Sequence, residues 1–273
     1  MTAEEKNTIA RFLDLATDYL RDGYTQNRAN ETFQDDTPPR TLDAPASAGF
    51  SSLPLAYQIN EDGDEDNPAP PNGETLADIA TAINHCEACD LAATRKNAVP
   101  GEGAASPLVM VIGEGPGADE DTAGRPFVGK AGQLLDKMLA SIGLFRDKNC
   151  YIANMVKCRP PGNRDPNPEE IAACSHFLKR QITLLRPRVI LCAGRVAAQN
   201  LLKTNKGINA LRGSFFEYTL NPAAEWSGGE KGETIPVLCA FHPSAILRDE
   251  SLKRPAWEDL KLLKSRLDSL NEE

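Results

Sequence analysis

Leu108-Val-Met-Val-Ile112, followed without a break by Gly113-Glu-Gly-Pro-Gly-Ala-Asp-Glu-Asp121, sets the reading of this chain. Five apolar, β-favouring residues bounded by a glycine-rich stretch describe a short buried strand that ends in a polar loop. Working outward, Thr75–Asn84 has helical spacing on the N-terminal side. On the C-terminal side an amphipathic helix is expected over Gln133–Ile142 and a second strand over Tyr151–Val156. Asn167-Pro168-Glu-Glu170 then opens a helix, with a capping residue, a proline at the first position and acids in the first turn. Val189–Ala193 reads as a third strand with Arg195–Leu202 helical behind it. Gly213–Tyr218 and Val237–Phe241 are late strands, and Pro255–Leu270 is the closing helix. Strands alternating with helices at this spacing imply a parallel sheet covered by helices. The expected fold is α/β: a three-layer α/β/α arrangement with a central, mostly parallel four-stranded sheet, preceded by an α-helical and disordered N-terminal extension. Ligands of such sheets sit beyond the carboxyl ends of the strands. The polar motifs of this chain all follow strands.

The extension carries its own signature. Residues 3–22 place Ile9, Phe12, Leu13, Ala16, Tyr19 and Leu20 at helical spacing among charged residues, so one amphipathic helix is expected within residues 1–24. Residues 25–74 lose all periodicity and end in the run Glu61-Asp-Gly-Asp-Glu-Asp66. Such a segment buries too little apolar surface to offset its ordering entropy, and an acidic disordered linker is expected. The folded body is then residues 75–273. The formal net charge of −9 is concentrated in the extension: residues 1–74 hold 15 acidic and 5 basic side chains, the remainder 24 and 25. A near-neutral body can still present a basic face to phosphate. No apolar run approaches the roughly 20 residues of a membrane helix. Met1–Lys6 has no basic leader, so a cytoplasmic protein is expected.

Seven cysteines are an odd number, and disulfides are disfavoured in the cytosol. Cys150, Cys192 and Cys239 lie in apolar runs and read as small buried hydrophobes. Cys86, Cys89, Cys158 and Cys174 lie outside strand patterns. Their spacing suits a four-thiolate site that could hold zinc or an iron–sulfur cluster. The loop after the first strand has the glycines of a phosphate cradle, but its four carboxylates repel a polyphosphate and no Gly-Lys-Ser/Thr completes a P-loop. A nucleotide-binding enzyme is therefore disfavoured.

Two further segments join that loop and its continuation, Gly124-Arg-Pro-Phe-Val-Gly129. After the second strand comes Asn154-Met-Val-Lys-Cys-Arg-Pro-Pro-Gly-Asn163-Arg164, and after a late strand Phe241-His-Pro-Ser-Ala245. Together the three resemble the family-four uracil-DNA glycosylases, the iron–sulfur branch of their superfamily, over about residues 84–265. The resemblance implies base excision repair: hydrolysis of the N-glycosidic bond of deoxyuridine in DNA, which releases uracil and leaves an abasic site. Enzymes of this kind extrude the target base into a pocket. Phe127 matches the residue that stacks on the base, and Asn154 the amide that tells uracil from cytosine. His242 matches the donor that stabilises the departing uracil anion. The aspartate that positions water in the best-known branch would fall at Gly115, so Glu114, Glu120 and Asn163 are the candidates for that work, with Glu120 foremost.

The same resemblance assigns Cys86, Cys89, Cys158 and Cys174 to a [4Fe–4S] cluster of structural role. Ala245–Arg248 reads either as a wedge that fills the gap left by a flipped base or as a helix start packed on the core. Lys157, Arg159, Arg164, Arg195 and Arg248 are candidate phosphate contacts. His85 and His176 read as structural. The expected partner is uracil-containing DNA, bound by a monomer without membrane association. Residues 3–22 are a candidate docking element for a repair or replication protein. The competing functional readings are a non-catalytic uracil-DNA binder and a DNA-polymerase-associated interaction protein.

Overall fold

The structure, a computed structural model, describes residues 73–220 and 233–272. The expected N-terminal helix, and the expected acidic linker except for Gly73 and Glu74, lie outside the described residues. In chain order the elements are α1 (Leu76–Asn84), α2 (Leu91–Thr94), β1 (Glu102–Gly103), β2 (Val109–Gly113), α3 (Ala118–Ala123), α4 (Lys130–Ala140), β3 (Cys150–Asn154), α5 (Pro168–Leu185), β4 (Val189–Ala193), α6 (Arg195–Leu201), α7 (Ile208–Leu211), β5 (Phe215–Thr219), β6 (Thr234–Ala240), α8 (Pro243–Arg248) and α9 (Lys253–Glu272). A 3₁₀ turn, Pro161–Asn163, precedes α5.

The sheet has six strands in the order β1-β3-β2-β4-β6-β5, not the expected four. Its centre, β3-β2-β4-β6, is parallel throughout. The two outer strands run antiparallel. β1 is two residues long, Glu102 and Gly103, too short for any periodicity to announce it. β5 matches the late strand expected over Gly213–Tyr218, and its half-exposed pattern fits the edge position it occupies.

Alternation along the central strands builds two cores. Val109, Val111, Cys150, Ile152, Val189, Leu191, Leu238 and Ala240 face one side, against Leu134, Leu135 and Met138 of α4, Ile246 of α8 and Trp257, Leu260 and Leu263 of α9. Met110, Ile112, Tyr151, Ala153, Ile190, Cys192, Val237 and Cys239 face the other, against α5, α6 and α7. Both faces of the sheet are covered, which is why these strands read as unbroken apolar runs. Cys150, Cys192 and Cys239 are fully buried, as their sequence context implies.

The capping signals also hold. Asn167 caps α5, with Pro168 at the first position and the Glu170 carboxylate accepting from the Asn167 N–H at 2.7 Å. A third, smaller core joins α1 to α5 through Ile79, Ile83, Leu91, Val156 and Phe177, with all four remaining cysteines in or against it. The Arg180–Glu74 ion pair closes its outer edge. Among the described residues no helix is long and apolar enough to cross a membrane.

Candidate active site

The carboxyl ends of β2, β3, β4 and β6 converge on one cavity of about 610 Å³. Its lining includes Glu114, Gly115, Glu120, Phe127, Asn154, Asn163, Asp165, His242 and Arg248. Every residue that the three sequence motifs offer for catalysis or base binding is therefore brought to one place. The register explains it: Gly113 pairs with Asn154 at the ends of β2 and β3, and Ala193 with Ala240 at the ends of β4 and β6.

Asn154 is 2% exposed, and its Oδ1 is buried without a hydrogen-bond partner. Native structures rarely leave such an acceptor unpaired. The amide lies against the Phe127 ring: a Cβ built on Gly113 would meet Asn154 Oδ1 at 2.4 Å and Phe127 Cε2 at 2.7 Å, so only glycine fits between them. Phe127 itself sits at φ 52°, the left-handed region that bulky residues avoid. Arg146 holds it there, donating to the carbonyls of Pro126 at 3.0 Å and Phe127 at 2.9 Å. Glu102 and Asp136 anchor the guanidinium at 2.6 and 2.8 Å. Arg146 lies outside every motif, and its partners range from residue 102 to residue 136.

His242 caps α8, and its Nδ1 accepts from the Ser244 backbone N–H at 3.1 Å. A backbone N–H can only donate, so Nδ1 carries the lone pair and the ring proton resides on Nε2. The Ser244 hydroxyl lies 2.8 Å from the same Nδ1. Burial, then the Arg248 charge, push the imidazole pKa down to about 4, so the ring is neutral at pH 7. Its centroid lies 5.6 Å from that of Phe127. Gly194, at φ 99°, makes room: a Cβ there would stand 2.9 Å from His242 Cβ.

The acids divide. Glu120 lines the cavity, but its carboxylate accepts from the backbone N–H groups of Gly117 at 3.1 Å and of Val128 and Gly129 at 2.9 Å each. It clamps the loop that carries Phe127. Asp121 turns away to accept from Lys96 N at 2.8 Å. Glu114 is different. Burial, then the neighbouring Asp165 charge, raise its pKa to about 7, with a side-chain hydrogen bond to Asp165 acting in the same direction. Asp165 in turn pairs with Arg195 from α6. Asn163 is exposed, at φ 56°, and accepts from Arg159 Nε at 2.8 Å. No side chain fits at Gly115, where a Cβ would meet Val156 Cγ2 at 2.8 Å.

Two surface readings change. Lys157 is 1% exposed and cannot reach phosphate. The strand pattern predicted for Tyr151–Val156 ends at Asn154, and the chain after it folds inward rather than onto the surface. Ile246 is buried in the core at 2% exposure, which favours the packed-helix reading of Ala245–Arg248 over the wedge; Arg248 is exposed at the cavity rim. Arg164 is held by Glu170 at 2.6 Å. His85 bonds the Thr81 carbonyl at 2.8 Å, and His176 lies tilted against Phe177 with 3.9 Å between ring centroids.

Cys86, Cys89, Cys158 and Cys174 line a second, small cavity between α1 and α5. Arg95 Nη1 donates to Cys158 Sγ at 3.2 Å, and the Lys157 N–H to Cys174 Sγ at 3.3 Å. Burial raises the thiol pKa of Cys158, and raises that of Cys174 to about 11. Among the described residues no three His, Cys, Asp or Glu side chains converge closely enough to ligate a single ion.

The sequence pattern described as the Uracil DNA glycosylase superfamily matches residues 100–261. The chain belongs to the uracil DNA glycosylase superfamily. Within it, the chain is 43% identical to a Type-4 uracil-DNA glycosylase of Archaeoglobus fulgidus, over 69% of this chain and 91% of that protein. It is 43% identical to a Type-4 uracil-DNA glycosylase of Thermotoga maritima, over 70% of this chain and 94% of that protein. A DNA polymerase of Bacillus phage SP01 is 27% identical over 62% of this chain, but over only 17% of the polymerase.

For this member of the superfamily, Glu114 makes a measurable stability prediction. In the fold its carboxyl keeps a proton up to about pH 7, whereas the ordinary value is 4.5. Between those values the folded chain binds a proton that the unfolded chain has released. This contribution to stability is therefore full below pH 4.5 and lost as the pH rises through 7. Glu114→Gln should raise the melting temperature at pH 8 and leave it unchanged at pH 4. An equal shift at both pH values would show that ionisation of Glu114 is not the cause.

Proposed function

We propose that the chain is a uracil-DNA glycosylase of base excision repair, which hydrolyses the N-glycosidic bond of deoxyuridine in DNA and leaves an abasic site. The observation that carries this reading is the orphaned Oδ1 of Asn154, buried beside the Phe127 ring and sharing its cavity with a neutral histidine.

Uracil carries a donor at N3 and would satisfy Oδ1. Cytosine carries a lone pair there and would leave the acceptor unpaired, a penalty of roughly 1–3 kcal/mol. Phe127 supplies the face on which an extruded base stacks, contributing about 1–3 kcal/mol toward the cost of unstacking it. As the C1′–N1 bond breaks, the electron pair passes to the uracil ring and charge gathers at O2. The Nε2–H of His242 supplies the donor for that oxygen. Its neutrality is useful, because a neutral imidazole stabilises the anion without having to surrender its proton. Water then adds to C1′ of the oxocarbenium ion and loses a proton. We assign support of that step to Glu114 rather than Glu120, whose oxygens already serve three backbone donors. Asn163, an exposed lining residue whose Oδ1 already accepts from Arg159, is assigned a contact to the nucleotide rather than support of that step.

Cys86, Cys89, Cys158 and Cys174 would hold a [4Fe–4S] cluster. The donor set fits: four thiols line one cavity and two of the sulfurs accept N–H groups. When bound, the cluster supplies a covalent clip between the α1–α2 segment and α5.

The full chain, incubated in excess over a uracil-containing oligonucleotide, should produce alkali-labile sites at uracil and none at cytosine in the same context. Binding without alkali-labile sites would instead identify a non-catalytic binder and defeat this reading.

A further inference from the structure

Lys157 is the largest fully buried side chain of the described residues that carries a charge, and nothing in the excision chemistry uses it. Burying an ammonium is costly unless it is well bonded. Its bonds here are specific. Nζ donates to the backbone carbonyl of Asn154 at 3.0 Å and to Gln181 Oε1 at 2.8 Å. Gln181, itself buried on α5, is fixed in turn by donating Nε2 to the Pro100 carbonyl at 2.8 Å.

The sheet explains why a cation is placed there. Carbonyls two residues apart along a strand face the same edge. Cys150 O accepts from Ala104 N at 2.8 Å, so the carbonyls of residues 150, 152 and 154 all face the β1 side. β1 ends its pairing at Ile152. The Asn154 carbonyl therefore emerges past the end of the neighbouring strand, and the Lys157 ammonium takes the place of the missing strand N–H. The same residue's backbone N–H lies on Cys174 Sγ at 3.3 Å. One residue thus touches both the cysteine cage and the main chain of the residue whose amide faces the pocket.

We propose that Lys157 is a positioning residue for base recognition: clamped by Gln181, it fixes the Asn154 peptide at the open edge of β3 and so aims the Asn154 amide at the base. This rests on the reading of Asn154 as the uracil-reading residue. It predicts that the support from Lys157 matters for uracil binding only while the Asn154 amide is present.

The test is a double-mutant cycle on binding of free uracil to the full chain, with wild type, Lys157→Met, Asn154→Ala and the double variant compared at equal iron content. Lys157→Met should weaken uracil binding about tenfold, the loss expected when a charged donor is removed from a buried acceptor. In the Asn154→Ala background the same change should cost about twofold or less, because the two residues act as one unit. Equal losses in both backgrounds, or no loss with Asn154 intact, would overturn the proposal. If Lys157→Met does not fold, Gln181→Leu frees the ammonium from its clamp. It should give a smaller loss of about threefold that also vanishes with Asn154→Ala, and a loss that persists there overturns the proposal equally. Should Asn154→Ala by itself leave uracil binding unchanged, the reading of Asn154 fails first, and the role of Lys157 with it.

Discussion

Replacing His242 with Ala should lower single-turnover uracil excision by about two to three orders of magnitude, the loss measured when one preorganised donor is removed from a developing anion. Affinity for uracil-containing DNA should change by far less, because the donor acts on charge that appears only as the bond breaks. The tautomer makes a sharper version available. Ser244 N–H fixes Nδ1 as the acceptor, so the catalytic proton must lie on Nε2. His242→Gln keeps a donor of similar reach but loses that fixed orientation, and should recover only part of the rate. His242→Ala turning over at close to the wild-type rate would remove the histidine from the mechanism. The imidazole pKa of about 4 adds a condition: the rate should show no histidine titration between pH 6 and 8, because the ring is already neutral throughout.

Replacing Cys158 with Ala should release the iron, abolish visible absorbance and lower the stability of the body. Cys158 lines the cavity with the other three thiols, and its sulfur accepts from Arg95, whose other donors hold the carbonyls of Cys86 at 2.8 Å and Asn84 at 2.8 Å. Burial disfavours the thiolate form of Cys158 and Cys174, so metal charge is needed to keep both deprotonated. Without it, the α1–α2 segment is left to the small third core alone. Cys192→Ala is the control. Cys192 is fully buried opposite Cys239 in the β4–β6 register and belongs to a different core from the cage. Its loss should cost about 1 kcal/mol of packing and leave about four irons per chain. Anaerobically purified wild-type chain that is colourless and holds one zinc would defeat the cluster assignment.

The two outcomes separate distinct parts of the molecule. In the proposed mechanism His242 acts after β6 on the reacting base, while Cys158 would act through the scaffold behind Asn154. A Cys158 variant that retained full excision would mean that the cage and the pocket are mechanically independent, despite the Lys157 bridge between them.

The sequence alone determined the central strands and the place of the site. Val109–Gly113, Cys150–Asn154 and Val189–Ala193 are covered on both faces, so each leaves an apolar run that is visible without knowledge of its neighbours. Glu114 just after the first run, Asn154 at the end of the second and His242 shortly after β6 then fall at one end of the sheet because parallel strands share a direction. The four cysteines were separable from the other three by the same local contrast. What only the tertiary structure decided depends on partners distant in the chain. Glu114 and Glu120 are both acids of one loop. It is Asp165 beside the first, and the N–H groups of Val128 and Gly129 around the second, that give them different work. Arg146 supports Phe127 from a loop that no motif marks, and two-residue β1 exists only because β3 offers an edge. Lys157 reads as one more basic residue in a basic motif until the fold turns it inward, because burial belongs to the assembled sheet and α5 rather than to the residues on either side.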